Sequence, residues 1–167
     1  MSEEARAAIG SLVFFLVAPV VVAGLVPWLI NGWETKGEVW APVRVVGLML
    51  VIVGGGVLAH SFVRFVRDGI GTPAPVAPTK HLVVTGVYRN VRNPMYVAVI
   101  AVIIGQGALF GDVGLIVYGA VVGLAMATFA RLYEEPALLR DHGAEYEEYR
   151  ANVPGWLPRL RPWRGDQ

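Results

Sequence analysis

The sequence predicts an all-α membrane protein of about four transmembrane helices, with a tight C-terminal helical hairpin and a cytoplasmic amphipathic tail. Three observations predict it. The chain is 55% hydrophobic and its mean hydropathy is +0.55. Charged residues make up 16% of 167, less than a water-soluble domain of this size carries. The apolar residues are also gathered into long runs, as in a chain that crosses a bilayer several times. A formal net charge of +1 says little about partners, so the placement of charge carries more information than its sum. The absence of cysteine excludes disulfides, thiolate metal ligands, cysteine nucleophiles and lipids attached through cysteine.

The chain reads as one integral membrane domain over 1–167. Residues 1 to 8 form a short polar lead with Glu3, Glu4 and Arg6. Residues 9–30 contain no charged group; at about 1.5 Å per residue they span roughly 33 Å, enough to cross a hydrocarbon core. This run is too long for the core of a signal peptide, and Asn31-Gly-Trp-Glu follows it in place of a small-residue cleavage site, so it is expected to be a retained first span. Pro19 and Pro27 should kink it, with neighbouring helices satisfying the freed carbonyls. Residues 31 to 42 set Trp33 and Trp40 among Glu34, Lys36 and Glu38, the mixture of an interfacial turn.

Residues 43–63 form the second span. Its Gly54-Gly-Gly56 run lacks the preceding strand that a phosphate-cradling loop needs, so it is read as close helix packing through small residues. His60 near its end is read as an interfacial histidine bonded to backbone or water. In the loop 64–93, Arg64, Arg67, Lys80, Arg89 and Arg92 face only Asp68, and the Gly- and Pro-rich stretch from Gly69 to Pro78 cannot sustain a helix. Basic loops stay in the cytoplasm, which puts the N-terminus on that side too.

Residues 95 to 130 would make one helix far too long for a bilayer, so a break at Gly111-Asp112 is expected, giving antiparallel spans 95–110 and 113–130. Gln106 is expected to bond a neighbouring helix. So short a turn brings the start of the third span beside the end of the fourth, which places Arg89, Arg92, Asn93 and Tyr96 near Arg131, Glu134 and Glu135. The cytoplasmic tail 131–167 holds a polar helix over Arg140–Arg150 and then Val153-Pro-Gly-Trp-Leu-Pro158; Tyr146, Tyr149 and Trp156 suit it to lie on the interface or to fold back as a lid.

On residue types alone, the arginines and carboxylates are either an inter-helix salt bridge or a ligand site. Glu134 and Glu135 point about 100° apart on a helix, so a single partner cannot serve both. No H-E-x-x-H, C-x-x-C or serine nucleophile elbow occurs, so hydrolase and metal readings lose support, and neither a metal nor a nucleic-acid partner is expected.

Gly86-Val-Tyr-Arg-Asn-Val-Arg-Asn-Pro-Met-Tyr96, a helical hairpin, Arg131-x-x-Glu-Glu135, His142-Gly-Ala-Glu-Tyr-x-x-Tyr149 and Val153-Pro-Gly-Trp-Leu-Pro158 follow one another in order. Over roughly residues 70 to 160 this series resembles the integral membrane methyltransferases that include isoprenylcysteine carboxyl methyltransferase and the phospholipid N-methyltransferases. The resemblance implies S-adenosylmethionine as methyl donor, bound at the cytoplasmic ends of the helices without a Rossmann domain. It implies a cofactor site lined by Tyr88, Asn93, Pro94, Met95, Tyr96 and Glu135, with the backbone of His81, Leu82 and Val83 closing over it. It further implies that Arg131 faces the acceptor; Arg92 and Glu134, which sit beside these residues, are the candidates for orienting the reacting groups. Asn93 stands where many members have histidine, and asparagine can hydrogen-bond but not titrate.

The expected acceptor is a lipophilic or lipid-linked small molecule entering from the membrane lipids. A carboxylate acceptor would need a cation such as Arg131 to hold it, and an amine acceptor a base such as Glu134; the sequence supplies both. Two other readings stand beside this one: an NADPH-dependent membrane reductase of related helical architecture, and a non-enzymatic membrane assembly protein whose charged residues are structural bridges.

Overall fold

The computed structural model describes residues 17–68 and 82–164. The polar lead, the first half of the first span, the loop from Gly69 to Pro78, Lys80 and His81 lie outside the described residues. Helix α1 is Val17–Asn31 and α2 is Ala41–Asp68. A short 3-10 turn, Gly86–Arg89, precedes α3, Pro94–Phe110. Helix α4, Val113–Phe129, passes through a π turn at Ala130–Glu134 directly into α5, Glu135–Asn152, whose helical backbone is broken by a kink at Gly143, at φ +52. No strand occurs among the described residues. Ala41–Arg64 and Val113–Asn152 each contain a stretch long and apolar enough to cross a membrane, with a mean hydropathy of 2.1, whereas α1 and α3 are shorter apolar helices.

Two boundaries differ from the sequence reading. Helix α2 runs on to Asp68, past the expected end at residue 63 and into the expected loop. The polar helix begins at Glu135, not at Arg140, and is continuous with α4. Pro136 sits in the first turn of α5, where a missing N–H costs nothing, and the π turn before it absorbs the irregularity. Helix α1 repeats the device, with a π turn at Val21–Leu25 and then Pro27. Both prolines stand six residues after the start of their π turn. A π turn diverts one N–H to the carbonyl five residues back, so a following proline leaves carbonyls in need of other donors.

The described residues fall into two compact units. The first comprises Ala18–Leu58 and Met95–Thr128. In α1, the Val26 N–H goes to the Val21 carbonyl rather than to that of Val22, and Pro27 has no N–H to give Ala23. Side chains from the hairpin supply both missing donors. The Tyr118 hydroxyl donates to the Val22 carbonyl at 2.9 Å, and Gln106 Nε2 donates to the Ala23 carbonyl at 2.7 Å. Gln106 Oε1 in turn accepts from the Trp33 indole at 3.2 Å. The expected Gln106 bond to a neighbouring helix is thus a repair of the proline site. Around it Ala23, Val99 and Ile103 are buried, with Val22, Leu58 and Tyr118 packed on them.

Helices α3 and α4 run antiparallel, with Gly107 against Ile116, Gly119 against Ile103 and Ile104, and Gly123 against Ile100. Helix α2 meets α3 where both are smallest. A Cβ on Gly47 would lie 2.7 Å from the Gly105 carbonyl oxygen, and one on Gly54 2.9 Å from Val102. Gly55 and Gly56 face open space, so only the first glycine of the triplet packs closely. The outer faces carry exposed Leu48, Met49, Ile52 and Val53 on α2 and Val117, Val121 and Leu124 on α4, an apolar surface suited to hydrocarbon.

The hairpin turns at Gly111-Asp112 as expected, with Gly111 at φ +70, a conformation that favours glycine. Asp112 caps α4 by accepting the Gly114 N–H at 2.7 Å. Its other oxygen accepts from Asn31 Nδ2 and Lys36 Nζ, each at 2.7 Å. The Lys36 hydrogen bond first, and then the Asn31 bond, hold the carboxyl down at about 2 against the opposing effect of burial. A carboxylate whose pKa is lowered by folding stabilises the fold above its unfolded value and loses that contribution as pH falls through its folded value. Detergent-solubilised protein should therefore lose stability between roughly pH 4 and pH 2. Asp112→Asn should lack that component in a thermal melt series; identical pH slopes for the two would contradict the assignment.

Candidate functional site

The second unit gathers the described residues of Ala59–Pro94 and Phe129–Gln167. It contains most of the charged motifs. The chain enters the site through Gly86, at φ +55, where a Cβ would lie 2.9 Å from His60 Nε2; a side chain here would be strained and would also displace the histidine. The 3-10 turn Gly86–Arg89 then buries Tyr88, and Arg92 follows at the centre of a knot of bonds.

Arg92 Nη1 donates to Glu135 Oε1 at 2.9 Å and to the Tyr146 hydroxyl at 3.0 Å, while Nε donates to the Val153 carbonyl at 2.9 Å. Its own backbone N–H donates to the Pro154 carbonyl at 2.9 Å. The pair is largely shielded, with side chains 14% and 18% exposed, so its charges are screened less than a surface pair. Arg150 approaches the other Glu135 oxygen at 3.7 Å. Glu135 also stands in the first turn of α5, where a negative charge suits the helix dipole.

The chain after α5 is bonded to the 88–93 stretch along its length. The Asn93 backbone and Nδ2 both donate to the Gly155 carbonyl at 3.2 Å. Asn90 Nδ2 donates to the Arg159 carbonyl at 2.8 Å, and the Arg159 N–H donates back to Asn90 at 3.0 Å. The Trp163 N–H reaches the Arg89 carbonyl at 2.9 Å, and Arg89 Nε donates to the Trp163 carbonyl. Beneath these bonds Tyr146, Tyr149 and Val153 form a buried core with Leu82, Val84, Leu138 and Trp163. The Tyr149 hydroxyl donates to the Tyr88 carbonyl at 2.7 Å.

Burial pushes the Tyr88 hydroxyl well above its ordinary value, with electrostatic coupling to Tyr149 and then to Glu134 adding to the shift. Tyr149 is raised mainly by burial against the opposing charge of Arg92, and Tyr146 is also raised by burial. All three stay neutral hydroxyls at physiological pH, and those of Tyr146 and Tyr149 serve as hydrogen-bonding groups, not bases.

The structure therefore brings Arg92, Glu135, Asn93 and Tyr88 into one bonded assembly. Glu134 lies close enough for its charge to act on Tyr88. Leu82 packs on the tyrosine core, and Val83 and Pro94 are buried. Arg131 is exposed on the π turn. Met95 and Tyr96 continue α3 from Pro94 but belong to the other compact unit. An open cleft of about 820 Å³ is lined by Arg64, Leu82, Val84, Arg89, Glu148 and Trp163; of the residues expected to hold a cofactor, it includes Leu82.

Tyr146, Tyr149 and the carbonyls of Val153 to Gly155 were not singled out by the sequence reading as part of the site. A signal was present. Two tyrosines three residues apart share a helix face, and both belonged to the quoted motif series.

The family profile described as phospholipid methyltransferase matches residues 43–145, more than half of the chain. The match takes in α2, which the motif series did not reach, and stops before the Tyr146 to Pro158 segment. The nickel-cobalt-cadmium resistance protein NccN of Alcaligenes xylosoxydans xylosoxydans is 33% identical over 87 residues, which is 51% of this chain and 39% of that protein. The chain thus spans about two fifths of the length of that curated relative. No solved structure matches. With an all-helical fold, helices apolar enough to span a bilayer and a profile match across the middle of the chain, this protein belongs to the phospholipid methyltransferase family.

Proposed function

We propose that this chain is an S-adenosylmethionine-dependent methyltransferase acting at the cytoplasmic membrane surface on a lipophilic or lipid-linked acceptor. In this reading it is a single four-span domain with both termini cytoplasmic. The observation that carries the reading is the Arg92–Glu135 pair at 2.9 Å, which joins the two motif clusters across 43 residues of chain.

The residues fit such a cofactor. One Glu135 oxygen is taken by Arg92 at 2.9 Å, and among the described residues the other has the longer Arg150 approach at 3.7 Å, so it keeps the capacity to accept from ribose hydroxyls. Asn93 spends one of its two amide hydrogens on the Gly155 carbonyl, and its side-chain oxygen can act as an acceptor. When bound, S-adenosylmethionine supplies an electrophilic methyl group on a positively charged sulfur. The chain's contribution is then position and shielding. Arg92 fixes the Glu135 carboxylate, and the tail segment bonded to Arg92 shields its neighbourhood from water.

Arg131, exposed beside the site, holds an anionic acceptor by charge. Glu134 takes the proton of an amine acceptor before attack. Asn93 moves no proton, because an amide does not titrate.

The test is methyl transfer by nanodisc-embedded protein supplied with methyl-labelled S-adenosylmethionine and lipids bearing either a carboxylate or an amine. Label should enter the organic phase with one acceptor class. On an amine, Glu134→Gln should reduce the rate by about 10²-fold or more, the scale of general-base catalysis; on a carboxylate, Arg131→Ala should be the damaging change. Folded protein that labels neither class would overturn the proposal.

A further inference from the structure

The segment after α5 presents a feature that methyl transfer does not use. Leu160 is 98% exposed and Leu157 81%, the two highest values among the large hydrophobic side chains described. Single exposed leucines are ordinary, but these two sit on a segment that is held in place. The Pro154 and Gly155 carbonyls, both backbone groups of Arg159, and the Trp163 backbone are all bonded to residues 89–93. Pro154, Pro158 and Pro162 stiffen the stretch further. The fastened backbone thus holds the two leucines out toward the surroundings on a scaffold ordered in advance.

Along the segment itself the charge has one sign, although Arg164 also lines the open cleft that Glu145 and Glu148 share. Between residues 150 and 164 stand Arg150, Arg159, Arg161 and Arg164, with no carboxylate. Arg159 is committed to the Asn152 carbonyl and Arg150 approaches Glu135, whereas Arg161 and Arg164 are exposed. Guanidinium groups bind phosphate in a bidentate fork, and apolar residues interleaved with cations are the composition of segments that lie in a lipid headgroup layer.

We propose that residues 154–164 form a docking surface for anionic phospholipid, with Leu157 and Leu160 entering the acyl boundary and Arg161 and Arg164 binding the headgroup phosphates. A preordered segment loses little conformational freedom on docking, which favours this use of it. The proposal rests on the chain lying in a membrane, and it is independent of which acceptor is methylated.

The chain has no cysteine, so Leu160→Cys carries a fluorophore at one known place, and Leu157→Cys repeats the measurement with Leu160 intact. Each labelled protein is placed in nanodiscs of phosphatidylcholine with or without phosphatidylglycerol and challenged with a lipid-borne quencher and with aqueous iodide. Ala151→Cys, exposed at the end of α5, is the control. In anionic discs the labels at 157 and 160 should be quenched from the lipid and protected from iodide, unlike the label at 151. Arg161→Gln and Arg164→Gln should each shift the docked-to-undocked ratio about fivefold toward undocked.

Quenching from the lipid that is equal in neutral discs and indifferent to both arginine changes would overturn the headgroup assignment. Iodide access equal to that at 151 would overturn the docking itself. Protection from iodide without quenching from the lipid would also overturn it, pointing to cover by protein or by a second copy. Binding of S-adenosylhomocysteine by the same labelled proteins reports on the methyltransferase reading separately.

Discussion

Arg92→Leu should destabilise the protein by about 3–5 kcal/mol, the scale for breaking a largely buried ion pair by removing one partner. The guanidinium serves three acceptors at once: Glu135, the Tyr146 hydroxyl and the Val153 carbonyl. Its loss leaves the Glu135 carboxylate, among the described residues, with Arg150 at 3.7 Å and takes the donor from a buried carbonyl. Lysine should not rescue it, because one ammonium cannot reproduce a planar fork reaching two sides. Adding Glu135→Gln to Arg92→Leu should recover part of the loss, since the stranded charge is then gone. Thermal unfolding in detergent reads both effects. A cost below about 1 kcal/mol for Arg92→Leu, the range of a surface pair, would show that the knot is not what holds the tail segment.

The second large effect is expected at Gly105. A Cβ there would sit 2.8 Å from the Gly47 carbonyl oxygen and 2.9 Å from Leu50 Cβ, and a Cβ on Gly47 would in turn sit 2.7 Å from the Gly105 carbonyl oxygen. The two carbonyl oxygens are backbone atoms, and a Cβ is fixed to its backbone, so the neighbour cannot swing away and the helices must separate. Gly105→Leu should cost about 3 kcal/mol or more, the upper part of the overpacking range. Gly56→Leu makes the matched control, since nothing lies within 4 Å of that position; it should stay within about 0.5 kcal/mol of the parent. Equal effects at the two sites would contradict the α2–α3 contact.

What the sequence revealed depended on whether a property was local. The hairpin was legible because an apolar run of that length is far too long for one crossing of a bilayer, and its Gly111-Asp112 step was the place to turn. From there topology alone put Arg92 near Glu135. The division of labour inside the cluster was not legible, because the sharing of Arg92 Nη1 between Glu135 and Tyr146 depends on side-chain geometry and not on spacing. The π turns were hidden for a similar reason. Pro27 and Pro136 announced irregular helices, but composition does not say whether a helix kinks, stops or takes up an extra residue.

The start of α5 at Glu135 had a signal in Glu135-Pro136, a carboxylate and a proline in a first turn. It was outweighed by the change from apolar to polar composition at Arg131, which separated two stretches that the backbone joins. The Gly54-Gly-Gly56 triplet shows the converse limit. Composition identified close packing, but only the three-dimensional register selects Gly54 over its two neighbours.

The most direct test of the central claim, that the two motif clusters form one S-adenosylmethionine site, is calorimetric titration of detergent-purified protein. S-adenosylmethionine and S-adenosylhomocysteine are titrated in turn, with NADPH as competitor and Glu135→Gln alongside. The account predicts micromolar binding of both compounds, indifference to NADPH, and an affinity reduced by about tenfold or more in Glu135→Gln, a loss of at least about 1.4 kcal/mol. Protein that is folded yet binds neither compound, or that releases them to NADPH, would contradict it.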